Sequence, residues 1–447
     1  MDGALHNSHS TPCKTSEGSR VPSRFAVEDM LPQRHFAPSK QEEIGEILQE
    51  ANSQKWAIVP YGAGMHQHIG NQLRRYDAAL SLENLNRIPE YEPQDLVVKV
   101  ESGCRLLDLQ KRLAPNHLYL PIDPYGLENA TIGGIVSTNV AGPLRFSQGT
   151  IRDYLIGISL VQPDGKWTKF GARVVKNVTG YDMCKLYVGS FGTLGVLTDF
   201  FFKLKPIPPF SKTIAVCLKG LDESRIGLEK LIHSSLCPAA LELLNPEGTR
   251  ILNERFPLVK DPNHYAFLAR FMDVEKAVDW QIEQLEKMWK GIFTQGIVLG
   301  SAAEQAEIWA LLREDTVWLG SGGTLRVKLK INCRSSQMVD CLQRLELFER
   351  EQSLPAVIKV HAGSGIIRVY YELDPSPRAI QEMADHINAL RTYLRDFRGT
   401  VVLESGPALI KKVIDVWGYD FKDKILMQKI RNQFDPNEIL NPGRYVV

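Results

Sequence analysis

Several features are missing from this sequence, and each absence removes a class of protein. No stretch of its 447 residues approaches the ~18 consecutive apolar positions that a membrane helix needs, so no direct membrane insertion is expected. The N-terminus (MDGALHNSHSTPCKTSEGSR) is polar and has no apolar run, which excludes a signal peptide there. Residues 1–24 are expected to form a disordered tail. Cysteine is sparse: seven, at positions 13, 104, 184, 217, 237, 333 and 341, and no Cys-x-x-Cys pair among them. This spacing disfavours a disulfide framework, a structural zinc site and a cysteine-ligated iron–sulfur cluster, and it fits a reducing cytoplasmic setting. Charge of one sign is not in excess (53 basic against 52 acidic residues), and no basic block alternates with aromatics, so no nucleic-acid partner is expected. A polybasic membrane anchor and repeats of fixed period are absent too.

What is present is a globular composition, 44% hydrophobic and 23% charged, on a chain long enough for two cores. Ser39-Lys40-Gln41-Glu42 reads as a capping box in which Glu42 reaches the Ser39 amide. The 3.6-residue spacing of Ile44, Ile47, Leu48 and Ala51 then gives an amphipathic helix. Short strands follow at Trp56–Val59, ending at Pro60, and at Ala78–Leu82 and Leu96–Val100, with a helix at Leu106–Leu113. Leu155–Gln162 and Lys166–Phe170 flank Pro163-Asp164-Gly165 as a hairpin. Gly195–Leu204 is strand-like, and Pro206, Pro208 and Pro209 mark a domain boundary. Beyond it, strands are expected at Ile214–Leu218, His264–Arg270, Leu325–Asn332, Ala356–His361 and Ile366–Tyr371, and helices at 222–234, 274–292, 336–351 and 376–396. That alternation predicts an antiparallel sheet with helices on one face.

Three glycine-rich segments carry candidate chemistry. Pro60-Tyr61-Gly62-Ala63-Gly64-Met65 directly follows a strand, where missing Cβ atoms let backbone amides approach a pyrophosphate; a tight turn is the equally weighted alternative. A Rossmann site would need glycine at position 67, which is Gln67. Residues 121–153 interleave Gly126, Gly133, Gly134, Gly142 and Gly149 with Thr131, Ser137, Thr138 and Asn139. That stretch is too glycine-rich for a packed core and too poor in charge for a linker, which points to a bound cofactor. Arg145 and Arg152 either offset its phosphates or sit as surface charges. The third segment is Lys176-Asn177-Val178-Thr179-Gly180-Tyr181-Asp182 with Gly189-Ser190-Phe191-Gly192-Thr193-Leu194-Gly195.

Together these segments resemble the vanillyl-alcohol-oxidase-type (PCMH-type) FAD-binding family, over about residues 34–206 and the C-terminal tail. Within it the chain looks most like the E subunit of glycolate oxidase, through the Lys176–Asp182 run and the ending Phe434-Asp435-Pro436…Asn441-Pro442-Gly443-Arg444. The resemblance implies an α+β fold. A two-subdomain PCMH-type FAD-binding domain would span 25–207, with an α+β cap over 208–405 and a segment at 406–447 returning to the FAD domain. It implies non-covalent FAD, because Gly64 stands where members with covalent flavin carry histidine. Contacts are expected from Pro60–Met65, Pro124, Thr131, Ile132, Gly133, Gly134, Asn139, Gly142, Arg145, Gly149, Arg152, Asp153, Lys176, Asn177, Gly180, Tyr181, Asp182, Gly195 and Arg444. His66 and His68 read as loop or surface histidines.

The cap departs from the family's hydroxy-acid dehydrogenases. Their His-x-Gly-Asp-Gly-Asn-x-His motif corresponds to His361-Ala362-Gly363-Ser364-Gly365-Ile366-Ile367-Arg368. Their Gly-Glu-His-Gly corresponds to Leu403-Glu404-Ser405-Gly406. With these ligand positions changed, no metal is expected. Oxidation of a small 2-hydroxy acid needs a cation for the carboxylate and a base for the hydroxyl proton. Arg326, Lys328 and Arg368 are candidates for the cation, or are charges on a solvent face. His361 is the candidate base, or a satisfied core histidine. Arg444 either reaches the flavin or pins the C-terminus. The expected role is an E-subunit-like component of a glycolate dehydrogenase complex, with a catalytic flavoprotein and an iron–sulfur subunit as partners. A self-sufficient dehydrogenase and a non-catalytic scaffold are the alternatives.

Overall fold

The computed structural model describes residues 21–171, 181–259, 261–293, 296–318, 324–418 and 421–445. The tail before residue 21 and the expected contacts Lys176, Asn177 and Gly180 lie outside these residues. Three short strands, β1 (Arg34–Phe36), β2 (Ile58–Tyr61) and β3 (Ala78–Ser81), form a parallel sheet in the order β1-β3-β2. Pro60 is tolerated in β2 because that strand lies at the edge. The helix Gln41–Gln54 packs Ile44, Ile47, Leu48 and Ala51 onto this sheet. Its cap is Glu43 rather than Glu42: the Glu43 carboxylate accepts from the amides of Ser39 (2.6 Å) and Lys40 (3.3 Å). The helix begins at Gln41, which makes residue 43 its third position, so the box is shifted by one.

Strands β4 (Glu90–Glu92) and β5 (Val97–Glu101) follow, then β6 (Leu118–Tyr119), β7 (Leu155–Val161), β8 (Trp167–Gly171), β9 (Val196–Lys203) and β10 (Lys205–Pro206). They build an antiparallel sheet in the order β4-β5-β9-β7-β8 and a β6–β10 pair. The expected hairpin is β7–β8, with Gly165 at φ 84° in its turn.

The cap is one eight-stranded antiparallel sheet. Its strands are β11 (Phe210–Leu218), β12 (Ala240–Leu244), β13 (Tyr265–Asp273), β14 (Ile297–Leu299), β15 (Leu325–Asn332), β16 (Val357–His361), β17 (Ile366–Leu373) and β18 (Thr400–Ser405). Their order is β14-β11-β13-β12-β16-β17-β15-β18. Helices cover both faces, not one. Ile214, Val216, Phe267 and Ala269 pack with Val278, Ile282 and Leu285 of one helix, while the alternate residues Ala215, Cys217, Ala266 and Leu268 pack with Leu252, Ile308 and Trp309 of others. Strands apolar at every position bury both sides, so they read as continuous runs. The six cysteines among the described residues are free thiols. No helix among those residues is long and apolar enough to cross a membrane.

After the cap the chain returns to β2. Ile58 donates to the Ile439 carbonyl (2.7 Å) and accepts from the Asn441 amide (3.0 Å). Asp435 holds this return, accepting from the buried amides of Ile439 (3.0 Å) and Leu440 (2.8 Å). Replacing Asp435 with Ala orphans both amides, so the urea midpoint should fall by the equivalent of about 2–5 kcal/mol.

Candidate active site

The loop after β2 has glycine where side chains do not fit. A Cβ on Gly62 would lie 2.2 Å from Thr131 Oγ1, and Gly64 has φ 78° against the Tyr61 ring. Thr131 caps the following helix, accepting from the Gly134 amide at 3.3 Å, so it cannot retreat freely. Among the described residues the amides of Ala63, Gly64, Met65 and His66 have no hydrogen-bond acceptor. They border a groove lined also by Ser102, Gly133, Ser137, Gly195 and Asn441. Unclaimed amides beside a cleft free of acidic side chains fit the pyrophosphate of FAD. Arg444 is buried at the groove's edge and donates to the carbonyls of Gln67 (2.5 Å) and Ile69 (3.0 Å). It both lines the groove and pins the tail.

A second cavity of about 310 Å³ lies between the domains and shares Thr138 and Phe191 with the groove. One wall carries Asn139, Ala141 and Arg145 from the FAD domain; the other carries Lys330, Arg368 and Glu404 from the cap. The sheet register makes the cap wall. Glu242 on β12 stands opposite His361 on β16, and Arg368 on β17 has Lys359 on one side and Lys330 on the other.

These buried groups are linked. Arg368 donates to His361 Nε2, which leaves the ring proton on Nδ1, aimed at Glu242 Oε1. Arg368 also approaches Glu404 (3.5 Å) and the Ala141 carbonyl (3.4 Å). Lys328 lies 2.6 Å from Glu404 and also pairs with Asp315, which accepts from the Tyr370 hydroxyl at 2.8 Å. Burial pushes the Glu404 carboxyl up, but Lys328, Arg368 and Lys330 override it and hold it well below the usual range. Burial, reinforced by Arg368, drives His361 well below its usual value, so its ring is neutral.

The sequence-predicted residues divide. Pro60–Met65, Thr131, Gly133, Gly134, Gly195 and Arg444 line the groove; Asn139, Arg145 and Arg368 line the interdomain cavity. Ile132 and Pro124 are buried beside these walls without lining them. Gly142 packs on Asp123, where a Cβ would meet the carbonyl at 2.0 Å. Gly149, Arg152 and Asp153 belong elsewhere: Asp153 accepts from the Thr150 amide (2.7 Å), with Gly149 at φ 79° preceding that cap. Tyr181 and Asp182 are exposed and outside both cavities. Arg326 is exposed two positions beyond Lys328. By contrast, Lys328 and Arg368 are buried, because the FAD domain covers a face the sequence allowed to be solvent.

His361 is engaged at both ring nitrogens, so it holds Arg368 rather than a free lone pair. His66 and His68 lie in the loop after β2, as expected of loop histidines, with their residues half-buried. Burial, with Lys328 nearby, holds them at about 3 and about 4, and His66 Nε2 is buried without a partner. Glu404, Lys330 and Asp315 were missed as site residues. The charged positions at alternate places in β15 were the available signal. Among the described residues, no group of three or more His, Cys, Asp or Glu side chains could hold a metal.

Residues 32–171 match the family described as FAD binding domain, and residues 212–445 match FAD linked oxidases, C-terminal domain. The chain belongs to the PCMH-type family of FAD-linked oxidoreductases. It is an FAD-dependent oxidoreductase with the two-domain architecture that the family name implies. It is 25% identical over 419 residues to glycolate oxidase subunit GlcD of Bacillus subtilis, covering 93% of this chain and 89% of that one. To glycolate oxidase subunit GlcE of Escherichia coli it is 35% identical, but over 171 residues, 38% of this chain and 48% of that one. To a mitochondrial D-lactate dehydrogenase [cytochrome] of Arabidopsis thaliana it is 26% identical, covering 92% of this chain and 72% of that one. In fold it is similar to p-cresol methylhydroxylase with substrate bound (TM-score 0.71, 15% identity, 92% of this chain and 88% of that one).

Gly62→Val should give a folded protein that purifies without FAD, because the added side chain displaces Thr131 from the groove. Flavin absorbance per chain, with circular dichroism as the folding control, checks it; a fully flavinated variant would remove this contact from the site.

Proposed function

We propose that this chain is an FAD-dependent dehydrogenase acting on the CH–OH group of 2-hydroxy acids, with oxidation in its own interdomain cavity. The observation that carries this reading is the meeting of two cavities at Thr138 and Phe191, one suited to FAD and one lined by Arg145, Lys330 and Arg368. Relatives aligned along nearly the whole chain bear the names of hydroxy-acid enzymes, which supports the same substrate class.

Bound FAD supplies the two-electron acceptor to which a hydroxyl-bearing carbon can give its hydride. The chain's own residues do the rest. Arg368 offers a guanidinium whose fork matches a carboxylate. His361 accepts one of its N–H groups and fixes the fork's direction, so His361 is a positioning residue. Glu404 and Lys328 fix its other side. Closure of the cap over the Asn139–Arg145 segment keeps bulk water from the reacting carbon and strengthens each of these charges.

The E-subunit reading is retained as the second one, because the 35% identity to GlcE falls within a single 171-residue alignment. In it the chain serves a complex containing a catalytic flavoprotein and an iron–sulfur subunit. A visible spectrum taken before and after anaerobic addition of glycolate, lactate and 2-hydroxyglutarate separates the two. Bleaching of the flavin bands by the chain alone supports oxidation in its own cavity; bands that persist with every acid sink it. His361→Gln should raise KM about tenfold, or ~1.4 kcal/mol, with a smaller change in kcat. A collapse of kcat at constant KM would make His361 a base instead.

A further inference from the structure

We propose that the interdomain cavity takes a 2-hydroxy acid with a second acidic group, a 2-hydroxy dicarboxylate, held by Arg368 and Lys330 side by side on the cap wall and by Arg145 on the FAD-domain wall. This rests on the 2-hydroxy acid reading above. Its starting point is a conflict in the sheet. Lys359, Arg368 and Lys330 stand abreast on β16, β17 and β15, and like charges directly opposite one another destabilise a sheet.

The conflict is only partly relieved within the protein. Glu404 serves Arg368 and Lys328, Asp315 serves Lys328, and the Lys359 ammonium donates to the Leu312 carbonyl at 2.7 Å. Lys330 and Arg145 have no hydrogen-bond or ion-pair partner among the described residues, yet both line the cavity. The lining therefore holds three cations against the single carboxylate of Glu404. The repulsion is visible in the groups themselves. Burial foremost, then Arg368, Arg145 and Lys328, pull Lys330 down to about 8 against the opposing Glu404. Burial and Arg368 also lower Arg145.

A monocarboxylate such as lactate satisfies one guanidinium and leaves Lys330 and Arg145 facing each other across low-dielectric space. Two carboxylates bring the lining to neutrality, and the cavity's roughly 310 Å³ has room for the longer molecule. The chemistry at the carbinol is unchanged. With FAD bound, the C2 hydrogen would leave with its electron pair to the flavin, the hydroxyl hydrogen would leave as a proton to water, and a 2-oxo dicarboxylate would form.

The test uses the full-length holoenzyme. Flavin bleaching gives kcat/KM for 2-hydroxyglutarate and malate against lactate and glycolate, and calorimetry gives Kd for glutarate against butyrate, which cannot be oxidised at C2. The dicarboxylates should be preferred at least ~10-fold in both measurements, each tenfold being about 1.4 kcal/mol. Lys330→Gln should shrink that preference about tenfold, and Lys330→Arg should restore it. Lactate turned over as well as 2-hydroxyglutarate would overturn the inference and leave the 2-hydroxy acid reading standing. If no 2-hydroxy acid bleaches the flavin, that reading falls, and the glutarate-to-butyrate affinity ratio alone decides the dianion site. A Lys330→Gln enzyme with an intact preference but a lowered flavin midpoint potential would assign Lys330 to the reduced cofactor and overturn the inference.

Discussion

The domain interface depends on one carboxylate, that of Glu404, staying ionised where little water reaches it. Moving a charge into such a place costs several kcal/mol, and only well-placed opposite charges offset it. Lys328 and Arg368 do so, and each is in turn held by another group. Asp315 takes Lys328, while His361 and the Ala141 carbonyl take N–H groups of Arg368. Ala141 belongs to the FAD domain, so the contact that orients the guanidinium also docks the two domains. Neutralising Glu404 would remove the ion-pair partner of buried Arg368 and leave Lys328 with Asp315 alone, and would loosen that docking together with the cavity wall.

The two cavities recognise their ligands by different means. The groove presents backbone: glycines that admit close approach, and amides with nothing else to bond. The interdomain cavity presents side chains fixed by strand register. Backbone recognition needs a particular chain path and tolerates little change at Gly62 or Gly64. Side-chain recognition can be altered one residue at a time on the same sheet, which is how one fold serves many substrates.

That difference also decides what was legible in the sequence. The glycine loops announce themselves, because no packed core or linker has such composition, and β2, β3, β5, β7 and β9 of the FAD domain were readable from their apolar runs, while the two- and three-residue strands β1, β4, β6 and β10 are too short to show one. The cap was less so. Ala240–Leu244 consists of Ala, Leu and Glu, all good helix formers, and becomes a strand only through its neighbours β13 and β16. The row Lys359–Arg368–Lys330 cannot be read locally, because it depends on pairings between separate strands. Gly149–Asp153 misled in the opposite direction: glycine, arginine and aspartate in sequence look like a cofactor motif, and here they are a helix cap. His66 and His68 read correctly as loop residues, but nothing local reveals that Lys328 and Glu404 of a distant strand pair would act on their charge.

The Arg444–Gln67 contact that edges the FAD groove joins residues 377 positions apart. Between them lies the whole cap, so the groove is completed only by a tail that returns from eight further strands. Contacts of such separation form late and slowly. A fragment cut at the proline boundary near residue 207 would keep the glycine loop but lose Asn441 and Arg444. The groove is thus assembled from both ends of the chain, its glycine loop from one and its Arg444 edge from the other.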